Sequence, residues 1–319
     1  MRVLVVKTSS MGDVVHALPA ISDMAAAIPG IQIDWVVEKG FSAIPAQHHA
    51  VRRVIPLQWR KWRKSLRAPE TRLAIRTWRQ AMAQEQYDLV IDLQGLIKSA
   101  FFACFAHGPR GGYDRHSIRE PLAALFYQRR VAVPRDMHAV DRCRRLCAGL
   151  LGYPLPTTPP DFGLVGQRDA WTPGPGSFAV LIPCASRPEK LWPLADWVAV
   201  GEHFRQQGLH VAVMWGSPQE QTLAQQIAER IDGATPPFLT VAQVCNTLAQ
   251  AHVVVGLDTG MSHIAAAHGR PTVGIYCDHE PGLAGLTGSG PVRSLGGKGQ
   301  VPTRSDVLAA ITAVQNART

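Results

Sequence analysis

Short apolar runs that each lead into a polar loop and then a helix recur along this chain, and this alternation constrains its fold more than any other feature. The first run, residues 2–7, leads into the polar loop 8–13 and a helical stretch beginning at Val14. Later runs, at residues 87–92 and 253–257, follow the same plan. Repeated strand–helix alternation predicts parallel sheets with helices on both faces, which is an α/β fold.

The densest proline cluster interrupts this pattern near the middle of the chain. Residues 154–160 contain four prolines and residues 173–176 contain two more. Proline stiffens a linker and removes backbone donors, so we place a domain boundary there. The pattern then restarts, which predicts two Rossmann-like domains, residues 1–165 and 166–319, that face each other across a cleft. A last helix, beginning near residues 303–307, can pack back on the first domain.

Composition excludes several classes of protein. An apolar content of 46% and a charged content of 18% are those of a globular chain. No apolar run approaches the roughly 18 uncharged residues that a membrane span needs. Lys7 and Asp13 interrupt the first apolar run, so it is not expected to be a secretory signal. The six cysteines lack C-x-x-C spacing, which favours reduced, buried thiols of a cytosolic protein over a zinc site.

Positive charge is concentrated in the first half of the chain. Residues 1–165 contain 23 Lys and Arg against 13 Asp and Glu, whereas residues 166–319 contain 10 against 11. Ten of the bases lie within residues 52–79, where Trp59, Trp62 and Trp78 are interleaved with them. This bias favours a large anionic partner for the first half.

Three interpretations of residues 52–79 are open from composition. A solvated helical face explains most runs of charge. Nucleic-acid binding suits bases beside aromatic rings, but no recognition motif accompanies these. An anionic membrane surface or lipid head group suits both the bases and the tryptophans, since each Lys or Arg near such a surface contributes about 1 kcal/mol.

Polar loops that follow strands carry the candidate site residues. Asp13 is either a functional carboxylate at the mouth of the first sheet, where open α/β folds bind ligands, or a helix cap. Residues 258–263 precede a helix whose N-terminus can hold a diphosphate, or they form an ordinary polar turn. Neither G-x-G-x-x-G nor a P-loop motif is present.

Two more loops of the second domain join this set. Residues 182–193 present Ser186, Arg187 and Lys190 after a strand, and Lys190 can neutralise a phosphate leaving group or be an ordinary surface lysine. Glu220 lies near a helix start, where it can accept hydrogen bonds from ribose hydroxyls or complement the helix dipole.

Together these loops resemble glycosyltransferase family 9, and within it the lipopolysaccharide heptosyltransferase I type. The resemblance covers essentially the whole chain and is carried by residues 7–13, 16–19, 35–38, 60–64, 92–96, 119–123 and 258–263. It implies a GT-B architecture and an inverting transfer of L-glycero-D-manno-heptose from ADP-heptose to the Kdo of Kdo2-lipid A. It also implies a cytoplasmic enzyme, bound peripherally to the anionic cytoplasmic face of the inner membrane.

The resemblance implies roles for individual residues. Asp13 is expected to be the general base and Lys190 to stabilise the departing ADP. The expected donor-binding residues are Ser186, Arg187, Lys190, Glu220 (ribose), Leu239 (adenine), Asp258 (heptose hydroxyls), Thr259, Gly260 and His263. The expected acceptor-binding residues are Ser10, Gly12, Arg60, Arg63, Lys64 and Arg119. No D-x-D motif occurs, so the sequence does not require a chelated divalent metal, and none is expected. The resemblance also implies no cofactor and no nucleic-acid partner.

The chain departs from the family pattern at two places, both on the donor side. Ala185 stands where a second hydroxyl beside Ser186 is expected, and residues 276–282 replace a more usual Tyr-Gly-Pro-Thr-Asp-Pro-like loop.

Three alternative functions are also open. They are a family 9 transferase adding a later core sugar, a non-enzymatic binder of nucleic acid or anionic surfaces, and a sugar-nucleotide epimerase or phosphorylase.

Overall fold

Two compact units, Met1–Val165 and Gly166–Thr319, make up the chain. The computed structural model describes residues 1–166, 169–185 and 187–317. Each unit is built around its own parallel sheet, so the predicted class of two α/β domains is confirmed.

The sheet of the first unit has the strand order of a doubly wound dinucleotide-binding fold. Its strands are β1 (Arg2–Val6), β2 (Gln32–Glu38), β3 (Val51–Leu57), β4 (Leu89–Asp92), β5 (Arg110–Tyr113) and β6 (Arg129–Val131). All pair in parallel in the order β3-β2-β1-β4-β5-β6. The order reverses between β1 and β4, and the carboxyl ends of strands at such a switch point are where these folds bind ligands.

Helices cover both faces of this sheet. They are α1 (Met11–Ala27), α2 (Ala43–Ala46), α3 (Trp59–Trp62), α4 (Pro69–Ala83), α5 (Ile97–Ala103) and α6 (Ala139–Leu151), with 3₁₀ turns at Lys39–Phe41 and Pro121–Phe126. Helices α1 and α6 pack together, and a buried ion pair joins Asp23 to Arg144 at 2.7 Å. Removing one partner would leave a buried charge uncompensated, so loss of either side chain should destabilise the packing of these two helices.

The sheet of the second unit has a different order. Its strands are β7 (Phe178–Ile182), β8 (His210–Val213), β9 (Val253–Leu257), β10 (Thr272–Tyr276) and β11 (Val292–Gly296). They pair in parallel in the order β11-β10-β9-β7-β8, which is a flavodoxin-like arrangement. The switch point of this sheet therefore lies between β7 and β9.

The helices of the second unit again flank the sheet. They are α7 (Leu194–Gln206), α8 (Pro218–Arg230), α9 (Val241–Gln250), α10 (Gly260–Ala267) and α11 (Arg304–Asn316), with a 3₁₀ turn at Pro188–Lys190. The terminal helix α11 packs against β10, β11 and α7 of its own unit. Its buried residues Val307, Ile311 and Val314 join the apolar core of this unit.

Several elements were not predicted from the sequence. Strands β5, β6 and β11 and helix α6 were missed. The sequence pattern also predicts a helix from Arg119 to about Phe126, and the structure has a 3₁₀ helix there that begins at Pro121. Strand β5 contains Gly111 and Gly112, which carry no strand signal. A Cβ atom at Gly112 would lie 2.4 Å from the Tyr127 ring, so tertiary packing explains the glycine there.

The tryptophans of the basic segment belong to the apolar core of the first unit. Trp62 and Trp78 are only 4% and 6% exposed, and their ring centroids lie 6.1 Å apart. Trp59 is half-buried and packs edge-on against Phe102 at 5.5 Å. The interpretation in which the tryptophans of residues 52–79 lie at a membrane surface is therefore wrong for Trp62 and Trp78. Within the described residues, no helix is both long and apolar enough to cross a membrane.

Candidate active site

Asp13 lies in the first turn of α1, directly after β1 at the switch point of the first sheet. The helix begins at Met11 with Ser10 as its N-cap, so Asp13 is the third helical residue and not the cap itself. Its Oδ2 accepts hydrogen bonds from the Ser10 amide (2.7 Å) and the Ser10 hydroxyl (2.8 Å). In the described parts of the chain Oδ1 has no such partner. The carboxylate is thus held by one oxygen and can accept a proton on the other.

The loop that carries Asp13 is anchored to the neighbouring strand β4. Gln94 Oε1 accepts the backbone amides of Thr8 (3.0 Å) and Ser9 (3.1 Å). The buried Lys7 donates from Nζ to the Leu93 carbonyl at 3.0 Å. These bonds join the two loops at the switch point, so they fix where α1 begins and therefore where Asp13 points.

Asp92, at the end of β4, supports this loop from below. It is fully buried and accepts hydrogen bonds from the Gln94 amide (2.8 Å), the Ser99 hydroxyl (2.7 Å) and the Tyr127 hydroxyl (2.7 Å). Burial raises the pKa of Asp92 against the opposing effect of these hydrogen bonds. Its oxygens are occupied by the protein, so Asp92 shapes the loop and is not available to a substrate.

The acceptor-binding candidates lie on the same unit. Ser10 is exposed and Gly12 is half-buried at the start of α1. Arg60, Arg63, Lys64 and Arg119 all have exposed side chains. The Arg60 amide donates to Glu38 Oε1 at 2.9 Å, and the Arg60 guanidinium stacks over the Phe41 ring at 5.1 Å.

Glu38 and Gln94 are residues of this half whose part sequence reasoning missed. Glu38 connects the end of β2 to α3 by accepting the Arg60 amide, and its own amide donates to the Thr8 carbonyl at 3.0 Å. Both residues lie within segments that carry the family resemblance. Their side chains bind backbone amides, and residue spacing and composition do not predict such contacts. They position the loops that bear Asp13 and Arg60.

Lys190 and Asp258 meet at the switch point of the second sheet. Lys190 follows β7 and Asp258 follows β9, and Lys190 Nζ lies 2.5 Å from Asp258 Oδ2. His263, on the first turn of α10, places Nε2 3.7 Å from the other carboxylate oxygen, Oδ1. All three were predicted donor-site residues, and the fold brings them into direct contact.

This cluster perturbs the carboxyl group of Asp258. Burial favours its neutral form, but the adjacent His263 and Lys190 outweigh burial and lower the pKa of Asp258 to about 2. The carboxylate is therefore ionised at neutral pH and forms a half-buried ion pair with Lys190. A ligand phosphate can compete with this carboxylate for the lysine.

The start of α10 supplies further groups to this half. Thr259 is the N-cap residue and Gly260 the first helical residue, and both are half-buried. The Thr259 hydroxyl is buried and finds no hydrogen-bond partner among the described residues. A Cβ atom at Gly256 would lie 2.3 Å from Ser262 Oγ, so this glycine of β9 allows the turn to close. The unused hydroxyl and the amides of the first turn suit an anionic ligand.

Glu220 and Leu239 lie farther along the same edge. Glu220 is in the first turn of α8, where its Oε2 accepts the Gly216 amide at 2.8 Å. A Cβ atom at Gly216 would lie 3.6 Å from the Met261 side chain, which places this loop beside α10. Leu239 is half-buried in the loop before α9, next to Phe238, whose ring lies 5.9 Å from that of Trp215. Phe238 was not predicted from the sequence.

The two departures from the family pattern have structural counterparts. Arg187 pairs with Asp278 at 2.8 Å, so the unusual loop after β10 supplies a carboxylate to a predicted donor residue. Ala185 packs its methyl group against the apolar core of this unit. Ser186, a predicted donor residue, lies outside the described residues. Among those that are described, no cluster of three or more His, Cys, Asp or Glu could hold a metal ion.

Comparison with known proteins identifies the family. The sequence profile of glycosyltransferase family 9 (heptosyltransferase) matches residues 75–304. This chain belongs to glycosyltransferase family 9. It is 42% identical over 288 residues to lipopolysaccharide heptosyltransferase 1 of Escherichia coli K12, covering 89% of this chain and 90% of that protein. The Pseudomonas aeruginosa PAO1 protein of that name is 43% identical over 294 residues, covering 92% and 83%.

Solved structures agree with this family assignment. The structure of E. coli heptosyltransferase WaaC with ADP has a TM-score of 0.90 at 40% identity and covers 98% of this chain and 99% of its own. WaaC with ADP-2-deoxy-2-fluoro heptose has a TM-score of 0.87 at 37% identity, with both chains fully covered. The family 9 chain therefore has a GT-B fold and is a glycosyltransferase, which confirms the predicted fold and enzyme class.

Proposed function

We propose that this family 9 enzyme moves L-glycero-D-manno-heptose from ADP-heptose to the Kdo of Kdo2-lipid A, with inversion, during assembly of the lipopolysaccharide inner core. The contact of Lys190 with Asp258 carries the proposal, because it brings a cation for a diphosphate and a carboxylate for sugar hydroxyls to one switch point. Two relatives over 40% identical bear the name lipopolysaccharide heptosyltransferase 1. A similar solved structure contains a fluorinated ADP-heptose.

Residues 166–319 form the donor-binding half in this proposal. The diphosphate of ADP-heptose replaces Asp258 as the ion-pair partner of Lys190. It also accepts hydrogen bonds from the backbone amides at the start of α10 and from the Thr259 hydroxyl. Asp258, released from its ion pair, accepts hydrogen bonds from heptose hydroxyls, with His263 beside it. The remaining donor contacts are Ser186 and Arg187 to the phosphates, Glu220 to the ribose, Leu239 to the adenine, and Thr259 and Gly260 to the diphosphate.

The chemical step uses Asp13 as the general base. Its free Oδ1 takes the proton of the Kdo hydroxyl while the hydroxyl oxygen attacks C1 of the heptose from the side opposite ADP. The bond from C1 to the diphosphate oxygen breaks, and its electron pair leaves with ADP. A positioned base contributes about 10²–10⁴-fold. Lys190 stabilises the charge that develops on ADP, which is the type of interaction that often contributes most.

Residues 1–165 form the acceptor-binding half. Arg60, Arg63, Lys64 and Arg119 bind the phosphates and carboxylates of Kdo2-lipid A, and Ser10 and Gly12 line the approach to Asp13. Their exposure and the positive charge of this half support the assignment. The same charge would hold the enzyme peripherally at the anionic cytoplasmic face of the inner membrane.

An ADP-release assay with defined substrates tests this function. ADP-heptose with Kdo2-lipid A should release ADP and yield a singly heptosylated lipid by mass spectrometry, with the α or β configuration at C1 opposite to that of the donor by NMR. Release only with an already heptosylated acceptor would identify a later core transferase instead. Consumption or equilibration of ADP-heptose without any lipid would identify an epimerase or phosphorylase.

A further inference from the structure

The first unit carries an exposed apolar patch beside its basic face. We infer that this patch inserts into the acyl region of an anionic bilayer while the neighbouring bases bind lipid phosphates. The patch, named here the apolar ridge, consists of Ile97 and Phe101 of α5 together with Leu122 and Leu125 of the 3₁₀ helix Pro121–Phe126. The inference rests on the proposed function, because it identifies the surface by which a peripheral transferase would meet its membrane.

Exposure of the ridge residues is the first observation. Ile97 is 41% exposed, Phe101 50%, Leu122 62% and Leu125 73%. Single exposed apolar residues are normal, but these four lie on two elements that contact each other. The Ile97 amide also donates to Glu120 Oε2 at 2.7 Å, which joins the starts of both elements.

The ridge side chains share one direction on each element. Ile97 and Phe101 are four residues apart on an α-helix, and Leu122 and Leu125 are three apart on a 3₁₀ helix, so each pair lies on one face. Other residues of the same elements are buried, including Phe102 and Ala103 of α5 and Ala123 of the 3₁₀ helix. The elements are thus anchored in the core while they present an apolar stripe outward.

A basic face adjoins the ridge and indicates what covers it. Helix α4 packs on α5 through Trp78 and Phe102, whose centroids lie 5.7 Å apart, and Arg79 lies over the Phe105 ring at 4.8 Å. On the outer side of α4, Arg72, Arg76 and Arg79 are exposed, and none of them forms an ion pair with a described residue. Leu73, between them, is 66% exposed.

Charge and apolar surface together favour a bilayer over other partners. Bases flanking an apolar face are the pattern of an interfacial membrane contact, because acyl chains take the apolar groups and phosphates the bases. A second copy of this chain would bring the same basic face against itself, which like-charge repulsion disfavours. A membrane partner also agrees with the location of Arg119 directly before the ridge, where an acceptor held in the bilayer by its acyl chains can reach it.

Flotation with vesicles tests the ridge without any transferase assay. The wild-type protein should float with vesicles of phosphatidylcholine and phosphatidylglycerol and much less with phosphatidylcholine alone. The double variant Leu122→Ser/Leu125→Ser should bind the anionic vesicles at least about tenfold more weakly. Arg72→Gln/Arg76→Gln should also bind more weakly and with a smaller dependence on salt. Val165→Ser/Val301→Ser, which changes two other exposed apolar residues, should bind like the wild type.

Two results would overturn the inference. One is flotation of Leu122→Ser/Leu125→Ser with anionic vesicles to the same extent as the wild type. If circular dichroism shows that this double variant is unfolded, Phe101→Ser takes its place, and wild-type flotation of that variant would overturn the inference. The other is a combination of two findings. The wild type would sediment as a dimer and the double variant as a monomer, while both proteins float equally well, because the ridge would then be a dimer interface.

The activity of the same variant separates this inference from the proposed function. With a deacylated, water-soluble Kdo acceptor, Leu122→Ser/Leu125→Ser should keep wild-type turnover, and with the acceptor in vesicles it should be slower. Loss of turnover on the soluble acceptor would make the ridge part of the acceptor site and contradict a bilayer role. If the wild type floats through the ridge but never releases ADP, the proposed function fails and the membrane contact stands.

Discussion

At the switch point of the second unit the charged side chains are paired with one another, whereas the bases of the first unit that are expected to meet the acceptor are not. Lys190 contacts Asp258 at 2.5 Å, and Arg187 contacts Asp278 at 2.8 Å. Among the described residues of the first unit's basic segment, ion pairs involve Arg52 and Arg53 on β3. Those expected to meet the acceptor form none; they are Arg60, Arg63, Lys64 and Arg119.

This difference indicates how each half would bind. The charged side chains of the second unit already form ion pairs with one another, so a donor must exchange these ion pairs for new ones. The affinity for the donor therefore depends on the geometry of that exchange. The first unit keeps exposed, like charges, so its affinity for an anionic acceptor depends on ionic strength. Asp13 differs from these exposed bases because its Oδ2 is held by hydrogen bonds from Ser10.

The largest effect is expected from Asp13→Asn. An amide can still accept the Ser10 amide but cannot take a proton, so kcat should fall about 10²–10⁴-fold with little change in either KM. Steady-state ADP release measures this. Ser10→Ala is the matched control, since it removes one hydrogen bond to Asp13 Oδ2 and leaves the carboxylate in place. Its kcat should fall by less than about tenfold. Near wild-type turnover by Asp13→Asn would exclude it as the base.

Lys190→Met should have the next largest effect. Loss of the cation leaves the departing ADP without its stabilising charge, and kcat/KM for ADP-heptose should fall about 10²–10³-fold. Lys298→Met, at an exposed lysine of the same unit, should have no effect. In a double-mutant cycle with Asp258→Asn the two losses should not add, because the residues contact each other. Simple additivity would contradict the shared site.

Protonation of Asp258 should affect stability at acidic pH. Its folded pKa of about 2 is below the ordinary value of 3.8, so the folded state binds fewer protons than the unfolded state. The stabilisation, about 2 kcal/mol from the size of this shift, is therefore complete above about pH 5 and lost as the pH falls toward 2. Urea unfolding from pH 6 to 3 should show a shrinking difference between wild type and Asp258→Asn. A constant difference would mean that the pair is not ionised.

The smallest effects are expected on the basic surface. Arg63→Gln or Lys64→Gln should raise KM for Kdo2-lipid A about three- to tenfold at low salt, less at high salt, and leave KM for ADP-heptose unchanged. Arg129→Gln, on exposed strand β6, is the matched control. A change in donor KM would remove the distinction between the two halves.

The positions of many strands in the sequence could be predicted, because buried parallel strands are nearly continuous apolar runs. Strands β4 and β9 are buried throughout, and they correspond to the predicted runs at residues 87–92 and 253–257. Strand β6 was missed because it is an exposed strand at the sheet edge with two consecutive arginines, Arg129 and Arg130. Edge strands lack the apolar signal on which such a prediction depends.

For the site, the sequence predicts which loops converge but not which atoms meet. Lys190, Asp258 and His263 could be grouped because carboxyl ends of parallel strands share one edge of the sheet. The pairing of Arg187 with Asp278 depends on tertiary structure and left no local signal. Burial of Trp78 did have a signal, because it shares a helical face with Thr71 and Met82, which are also buried.

Calorimetric titration of ADP-heptose into Asp13→Asn tests the central claim most directly, namely that the second unit binds the donor and the first supplies the base. The account predicts wild-type affinity for ADP-heptose together with turnover that is about 10²–10⁴-fold below wild type when Kdo2-lipid A is added. Lys190→Met, titrated in parallel, should bind ADP-heptose much more weakly. Strongly weakened binding by Asp13→Asn, with normal binding by Lys190→Met, would contradict the account.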